Sequence, residues 1–130
     1  MVAEMEAAID HSLRITALRC RITSDIGAYN YAYTQDNPVT AATMIVGAYK
    51  IPAVDLEVVE VFTNKMATDA YRGAGRPEAS YFIERMIDRI SSEIGVNPIE
   101  LRRRNFIEKG MFPYRTPTGM EYDTGDYEKA

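Results

Sequence analysis

Alternating hydrophobic and polar residues near the N-terminus predict two β-strands. The alternation runs from Val2 to Asp10 and again from Arg14 to Tyr29, with a short polar run at Asp10-His11-Ser12 between the two. A period of two places every second side chain on the same face of a sheet. The two segments are therefore predicted to form an antiparallel hairpin.

A third strand is predicted from Ala53 to Thr63. Valine, leucine and phenylalanine alternate there with Asp55, Glu57 and Glu60. β-Branched residues favour strands, so this is the most regular strand of the sequence. The charged positions indicate that one of its faces is solvated.

The pattern changes to a helical period after Pro77. Apolar residues recur at spacings of three and four from Ala79 to Ile94, and Gly95 follows. Pro77 suits the first helical turn, because the amide proton that it lacks would have no partner there. The spacing predicts an amphipathic helix that Gly95 ends.

A second, shorter helix is predicted from Ile99 to about Phe106. Asn97 can cap its first turn, and Pro98 suits its first position. Glu100 follows Asn97 by three residues, which is the spacing of a reciprocal capping pair. The sequence thus predicts both the beginning of this helix and how it is stabilised.

The remaining segments have weaker patterns. Turn-favouring residues between Asp25 and Asn37 indicate a loop. Thr40 to Val46 predicts one or two helical turns that Gly47 ends. The tail, residues 111–130, lacks sustained periodicity and is predicted to be an extended C-terminal arm.

The predicted fold class is therefore α+β. An antiparallel hairpin and a further strand form the sheet, and two helices pack on it. Loops are expected from Asn30 to Thr40 and beyond Gly110.

Composition narrows the possible functions. The chain has 130 residues, of which 46% are hydrophobic and 26% charged, so we expect one domain with a packed core. A net charge of -4 disfavours nucleic-acid binding, which depends on clustered Lys and Arg. Its one cysteine, Cys20, excludes an internal disulfide and any cysteine-clustered metal site within these residues. We expect no membrane span and a cytoplasmic location.

The segment from Thr63 to Glu78 joins the third strand to the first helix and is rich in glycine. Glycines let backbone amides approach a ligand, and a helix N-terminus offers N–H groups without partners. Arg72 and Arg76 could add charged donors. The pattern fits an oxyanion site, but from the pattern alone a tight turn before Pro77 is the favoured explanation of the glycines. It matches neither a P-loop nor a dinucleotide-binding fingerprint.

Four segments resemble the large subunits of molybdenum hydroxylases, the family of xanthine dehydrogenase, aldehyde oxidase and aerobic carbon monoxide dehydrogenase. Residues 63–107 are similar to its signature region, and they read TNKMATDAYRGAGRPEASYFIERMIDRISSEIGVNPIELRRRNFI. In the same order, the chain also contains RITALRCRITSDIGAY, GAYKIPAVDLEVVEVF and FPYRTPTGMEYDTGDY. The resemblance covers nearly the whole chain.

The resemblance implies that residues 1–130 are part of a molybdenum-cofactor-binding domain. It places a cofactor-binding loop at Tyr71, Arg72, Gly73, Ala74 and Gly75, with Arg72 the first choice for a polar contact. The family's general base, a glutamate, lies much nearer the C-terminus of a full-length subunit. No catalytic residue and no metal ligand are therefore expected here, and the chain should be inactive alone.

The family also implies a reaction, cofactors and partners. The parent enzyme would hydroxylate an aldehyde or an N-heteroaromatic carbon with oxygen from water. The cofactor would be molybdenum-molybdopterin in its cytosine dinucleotide form, shared with missing large-subunit segments. Electrons would pass to Fe–S clusters and FAD on partner subunits.

Two positions of the loop bear on the substrate. Carbon monoxide-oxidising members carry a copper-bridging cysteine where this chain has Gly73. Xanthine-type members place an aromatic ring where this chain has Ala74. The resemblance thus disfavours both carbon monoxide and purines as substrates.

Other residues have simpler interpretations. Asp69 and His11 are expected to be solvated, Glu78 to stabilise the helix N-terminus, and Arg102 to Arg104 to form a solvated face. The alternating Tyr29, Tyr31 and Tyr33 fit either a packed surface or an interface.

A different class of function remains open. The chain could be a non-catalytic folded module or a gene remnant that binds a partner subunit. In a full-length relative the residue before Val2 would still lie in a strand. Met1 is therefore expected to mark a shortened piece, a split gene or a remnant.

Overall fold

The computed structural model describes residues 1–129, and a three-stranded sheet forms its base. The strands are β1 (Val2–Ile9), β2 (Ile15–Gly27) and β3 (Ala53–Phe62), in the order β1-β2-β3. The pairing of β1 with β2 is antiparallel, which confirms the predicted hairpin. β3 runs parallel to β2, because the chain crosses over between them. The carboxyl ends of β2 and β3 therefore meet at one edge of the sheet.

The two faces of the sheet differ in chemistry. On the outer face Arg19 lies between Glu6 and Asp55, at 3.2 and 3.0 Å, and the neighbouring row pairs Arg21 with Glu57 at 3.2 Å. The inner face of β2 is buried and apolar. Strand alternation thus separates a charged solvated face from the core, as the pattern of β3 predicted.

Three helices follow the strands: α1 (Asp36–Thr43), α2 (Arg76–Ile94) and α3 (Pro98–Asn105). α2 buries a stripe of isoleucines and ends at Gly95, whose φ is +71°. The prediction of this helix is confirmed. Within the described residues no helix is both long enough and apolar enough to cross a membrane. The core joins side chains of all three helices to the inner face of the sheet, among them Leu18, Ile22, Ala41, Ile45, Ile83, Ile87 and Leu101.

The predicted loop from Asn30 to Thr40 is wrong in its second half. α1 begins at Asp36 and ends at Thr43, earlier than the helical turns predicted from Thr40 to Val46. Pro38 falls in the first turn, where the amide that it lacks has no helical partner. The same residues that favour turns also suit the beginning of a helix.

α3 begins as predicted, but only half of the capping pair forms. The Asn97 side chain accepts a hydrogen bond from the Ile99 amide at 2.8 Å. Glu100 instead binds Arg104 at 2.8 Å, one turn further along the helix. A salt bridge between residues four apart has replaced the reciprocal bond.

Asn105, the last residue of α3, is buried and holds together the end of the sheet where β1 turns into β2. Its Oδ1 accepts from the Ile15 amide at 2.8 Å, and its Nδ2 donates to the carbonyls of Leu13 and Leu101, both at 2.8 Å. A buried amide with these partners costs little to bury.

The C-terminal residues contain a 3-10 turn (Lys109–Met111) and a small hairpin of β4 (Tyr114–Arg115) and β5 (Glu121–Tyr122). The hairpin bonds to the segment at the end of α1. Thr118 Oγ1 donates to the Thr43 carbonyl at 2.6 Å, and the Tyr122 hydroxyl donates to the Gly47 carbonyl at 3.0 Å. The arm predicted for 111–130 thus folds back onto the helices, whereas its separation as a distinct unit stays a prediction.

Candidate functional site

The loop Tyr71–Gly75 lies where β3 leads into α2, next to the beginning of α1. Gly75 has no room for a side chain, since a Cβ there would lie 2.3 Å from the Asn37 carbonyl oxygen and 2.7 Å from the Ala41 amide nitrogen. The loop is therefore in contact with the first turns of both α1 and α2. Helix N-termini carry partial positive charge, so this location favours an anion.

The backbone of the loop explains its glycines. Gly73, Ala74 and Gly75 have φ values of +106°, +40° and +88°. Two successive turns form, with the Ala74 amide bonded to the Tyr71 carbonyl at 2.8 Å and the Arg76 amide to the Gly73 carbonyl at 3.1 Å. Left-handed conformations strain residues with a side chain by about 1 kcal/mol, so glycine is favoured at two of the three positions.

Several amides of the loop are left without partners. Within residues 1–129 the N–H groups of Arg72, Gly73 and Gly75 find no protein acceptor. Turns that combine left-handed residues present neighbouring N–H groups to an anion. The structure thus confirms that the glycines form a tight turn, whereas the oxyanion site stays a prediction.

The side chains of the loop are open to solvent. Tyr71 is 87% exposed, and Arg72 is exposed and forms no ion pair within the described chain. Arg76 reaches only the Gly73 carbonyl, at 3.4 Å. Arg72 and Arg76 thus have no carboxylate partner within the described residues.

Asp25, at the end of β2, fixes the segment that leads into the loop. Its Oδ1 accepts from Thr63 Oγ1 at 2.7 Å and from the Gly27 amide at 2.9 Å, and its Oδ2 lies 2.7 Å from Lys65 Nζ. The Lys65 bond, followed by those from Thr63 and Gly27, lowers the pKa of Asp25 to about 2. The sequence analysis did not single out Asp25; its position two residues before Gly27 was the available signal.

Asn37, in the first turn of α1, contacts both ends of the loop region. Its side-chain Nδ2 donates to the Asp69 carbonyl at 3.1 Å, and its backbone carbonyl lies against Gly75. The Oδ1 of Asn37 and the Oε2 of Glu78 are buried without partners in the described chain. The sequence analysis assigned Asn37 to a turn and missed this role.

The remaining candidates lie away from the loop or are solvated. His11 is exposed in the turn between β1 and β2, and burial raises the pKa of the Cys20 thiol to about 11, which makes it unreactive. Arg102 is half-buried against Glu84 and Asp88 at 2.8 and 2.9 Å, so the predicted solvated arginine face is wrong at this residue.

The three tyrosines do not form a strand. Tyr29 and Tyr31 lie in an irregular segment beyond β2, with ring centroids 6.2 Å apart, and Tyr33 lies in the turn before α1. All three are exposed, so they pack no core surface.

A family model described as "Molybdopterin cofactor-binding domain" matches residues 1–106. The chain belongs to this molybdopterin cofactor-binding family, found in molybdenum hydroxylases. It is 38% identical over 120 residues to the carbon monoxide dehydrogenase large chain of Hydrogenophaga pseudoflava, covering 90% of this chain and 15% of that one. It is 35% identical over 139 residues to the 6-hydroxypseudooxynicotine dehydrogenase complex subunit gamma of Paenarthrobacter nicotinovorans, covering 99% and 17%.

Solved structures agree with this assignment. The chain superposes on quinoline 2-oxidoreductase from Pseudomonas putida 86 with a TM-score of 0.90 and 36% identity, covering 98% of this chain and 16% of that one. The α+β prediction is confirmed at the level of the fold class. The chain spans only 15–17% of the length of these relatives.

Proposed function

We propose that this chain is the part of a molybdenum hydroxylase large subunit that supplies backbone donors to the molybdopterin cofactor. The observation that carries the proposal is the group of unpaired amides at Arg72, Gly73 and Gly75, beside the first turns of α1 and α2. These donors and the free Arg72 guanidinium fit an anionic cofactor with oxo groups. Tyr71 and Ala74 complete the contacting loop.

The loop also bears on the substrate. The bound cofactor would supply two-electron chemistry at molybdenum, and this chain's residues would hold it in place. A cysteine at Gly73 would bring its Cβ to 2.8 Å from Pro77 Cγ, in a conformation unfavourable to side chains. This disfavours a copper-bridging cysteine and carbon monoxide oxidation, although two relatives are carbon monoxide dehydrogenase large chains. Relatives named for quinoline and nicotine support an aldehyde or an N-heteroaromatic substrate.

Catalysis would need further polypeptide. No carboxylate of the loop region is proposed as general base, because the resemblance places the family's glutamate base nearer the C-terminus of a full-length subunit. The base, the rest of the cofactor site, the Fe–S clusters and FAD would come from other large-subunit segments and partner subunits. We also propose the cytosine dinucleotide form of the cofactor and a cytoplasmic location.

One observation favours the alternative of a non-catalytic module that binds a partner. Tyr29, Tyr31, Phe62 and Met66 are large and apolar, yet each is more than half exposed near the end of the sheet. Exposed apolar groups of this size favour contact with another polypeptide. Both hypotheses need such a partner, and only the first needs a cofactor.

The experiment that tests the proposal is co-expression with the missing large-subunit segments, followed by measurement of bound molybdenum. Arg72→Ala removes a charge-assisted bond and should reduce cofactor affinity by about tenfold. Arg103→Ala is the matched control, since Arg103 is exposed and unpaired within the described residues. The control should retain the wild-type molybdenum content.

Two results would contradict the cofactor role. One is equal molybdenum retention by the Arg72→Ala and Arg103→Ala proteins. The other is a stable complex with the missing segments that never contains molybdenum, which would favour the partner-binding module. The isolated chain should show no hydroxylase activity in either case.

A further inference from the structure

We propose that Asp25 is a positioning residue, which fixes the segment Thr63–Thr68 against the end of β2 and so determines where the loop Tyr71–Gly75 lies. The importance of Asp25 for cofactor binding rests on the proposed function. Its effect on the position of the loop does not depend on that function, so the effect on the loop and the effect on the cofactor can be tested separately.

Beyond its own strand, the Asp25 side chain contacts only the segment that follows β3 among the described residues. One oxygen accepts from Thr63 at 2.7 Å, and the other pairs with Lys65 at 2.7 Å. The first oxygen also accepts from the Gly27 amide at 2.9 Å, which holds the carboxylate at the end of β2. Asp25 thus joins the end of β2 to the residues that follow β3.

The backbones on either side are in close contact, so small displacements are not absorbed. A Cβ at Gly27 would lie 2.3 Å from the Met66 carbonyl oxygen and 2.5 Å from the Ala67 Cα. Two backbone bonds flank this contact, from the Ala28 amide to the Lys65 carbonyl at 3.0 Å and from the Thr68 amide to the Ile26 carbonyl at 3.2 Å.

These contacts form a continuous path to the loop. Asp69 follows the fixed segment directly, and its carbonyl accepts from the Asn37 side chain at 3.1 Å. Tyr71 begins the loop two residues later, and Gly75 ends it against the Asn37 carbonyl. Asp25 therefore fixes the entry to the loop, while α1 holds its exit.

The role separates from general stability because Asp25 lies outside the hydrophobic core. Loss of its charge should free the segment locally and leave the isoleucine core intact. A purely structural carboxylate would instead lower the stability of the whole sheet.

The test is hydrogen exchange of the full chain, comparing Asp25→Asn with Asp55→Asn. Asparagine at 25 keeps an acceptor for Thr63 and Gly27 but loses the charge that binds Lys65. Asp55 is the matched control, because it is a carboxylate on the same sheet, bonded to Arg19 at 3.0 Å and remote from the loop. We expect exchange of the hydrogen-bonded amides of Thr63, Thr68 and Ala74 to rise about threefold in Asp25→Asn, because the lost ion pair is partly exposed, and to stay at the wild-type rate in Asp55→Asn.

The proposal is overturned if Asp25→Asn leaves exchange of the Thr63, Thr68 and Ala74 amides unchanged, or if it raises exchange equally throughout β2, β3 and α2. Lys65→Met provides a second route if Asp25→Asn folds poorly. It should loosen the same amides, and the double variant should be no looser than either single one.

A separate measurement tests the cofactor consequence. In the assembled large subunit, Asp25→Asn should lower retained molybdopterin and Asp55→Asn should not. A loosened loop with full cofactor retention would support the positioning role and contradict the proposed function of the loop.

Discussion

The two ends of the sheet differ in how their hydrogen-bonding groups are paired. At the end where β1 turns into β2, Asn105 is buried and uses both atoms of its amide on three backbone groups. At the other end, Arg72, Gly73 and Gly75 leave amides without protein acceptors. The Asn105 groups are buried and paired, as buried donors and acceptors normally are, whereas Arg72 is exposed and its amide is open to solvent.

The two ends differ in whether their polar groups find partners within the described chain. Satisfied polar groups at the Asn105 end connect α3 to the sheet and need nothing further. The amides around Gly73 have no acceptor within the described residues, and under the proposed function an anionic cofactor would accept from them. Long-range contacts stabilise the sheet at one end, and under the proposals made above they would position a ligand site at the other.

The largest expected loss of stability is at the end of the sheet that carries the loop. Gly75→Ala should destabilise the chain by about 3 kcal/mol or prevent folding, because the new Cβ would overlap the backbone of α1 and φ is +88°. Gly95→Ala is the control: its φ is +71°, but nothing lies within 4 Å, so the cost should be about 1 kcal/mol. Urea unfolding measures both, and equal losses would show that the contact with α1 is unimportant.

A smaller effect is expected at the opposite end. Asn105→Ala leaves the Ile15 amide and the Leu13 carbonyl without their side-chain partner, and should cost about 2 kcal/mol in the free energy of unfolding. Asn64→Ala, at an exposed position, should change it by less than about 0.5 kcal/mol. If the two variants unfold at the same urea concentration, Asn105 does not hold this end together.

The charge of Asp25 gives a prediction that depends on pH. Its folded pKa of about 2 lies below the ordinary value of 3.8, so its stabilisation is complete above pH 3.8 and is lost as the pH falls through 2. The Gly27 amide proton, observed by NMR, should titrate with a midpoint near 2. Lys65→Met should raise this midpoint more than Thr63→Val does. The reverse order would contradict the conclusion that Lys65 is the main cause of the lowered pKa of Asp25.

The smallest expected effect is at Tyr71. Because its side chain is 87% exposed, Tyr71→Ala should change the free energy of unfolding by less than about 0.5 kcal/mol. Thermal unfolding measured beside Tyr49→Ala, which truncates a buried ring stacked on Phe106, gives the contrast. A large loss at Tyr71 would mean that the loop is part of the structural core.

Periodic segments were predictable from the sequence alone. The period of two gave β1, β2 and β3, and the period near 3.6 with Gly95 gave α2. The parallel pairing of β3 could not be predicted, because it depends on the crossover between β2 and β3. α1 was placed too late because Asp36, Asn37 and Pro38 suit turns and helix beginnings alike.

Glycine spacing and the resemblance predicted a cofactor site at Tyr71–Gly75. The structure explains why glycine fits there, and the binding role stays a prediction. Asp25 and Asn37 were missed, since their partners Thr63 and Asp69 lie 38 and 32 positions away. Contacts of this range leave no periodic signal in a single sequence.

The hairpin of β4 and β5 bears on where this unit ends. The family model stops at residue 106, yet Thr118 and Tyr122 donate to the carbonyls of Thr43 and Gly47. Phe106 also lies 6.2 Å from Tyr127, centroid to centroid. A protein shortened to the matched residues would expose those carbonyls to water at the far end of the helix whose beginning contacts the loop. Any expression vector for this segment should therefore extend past Tyr127.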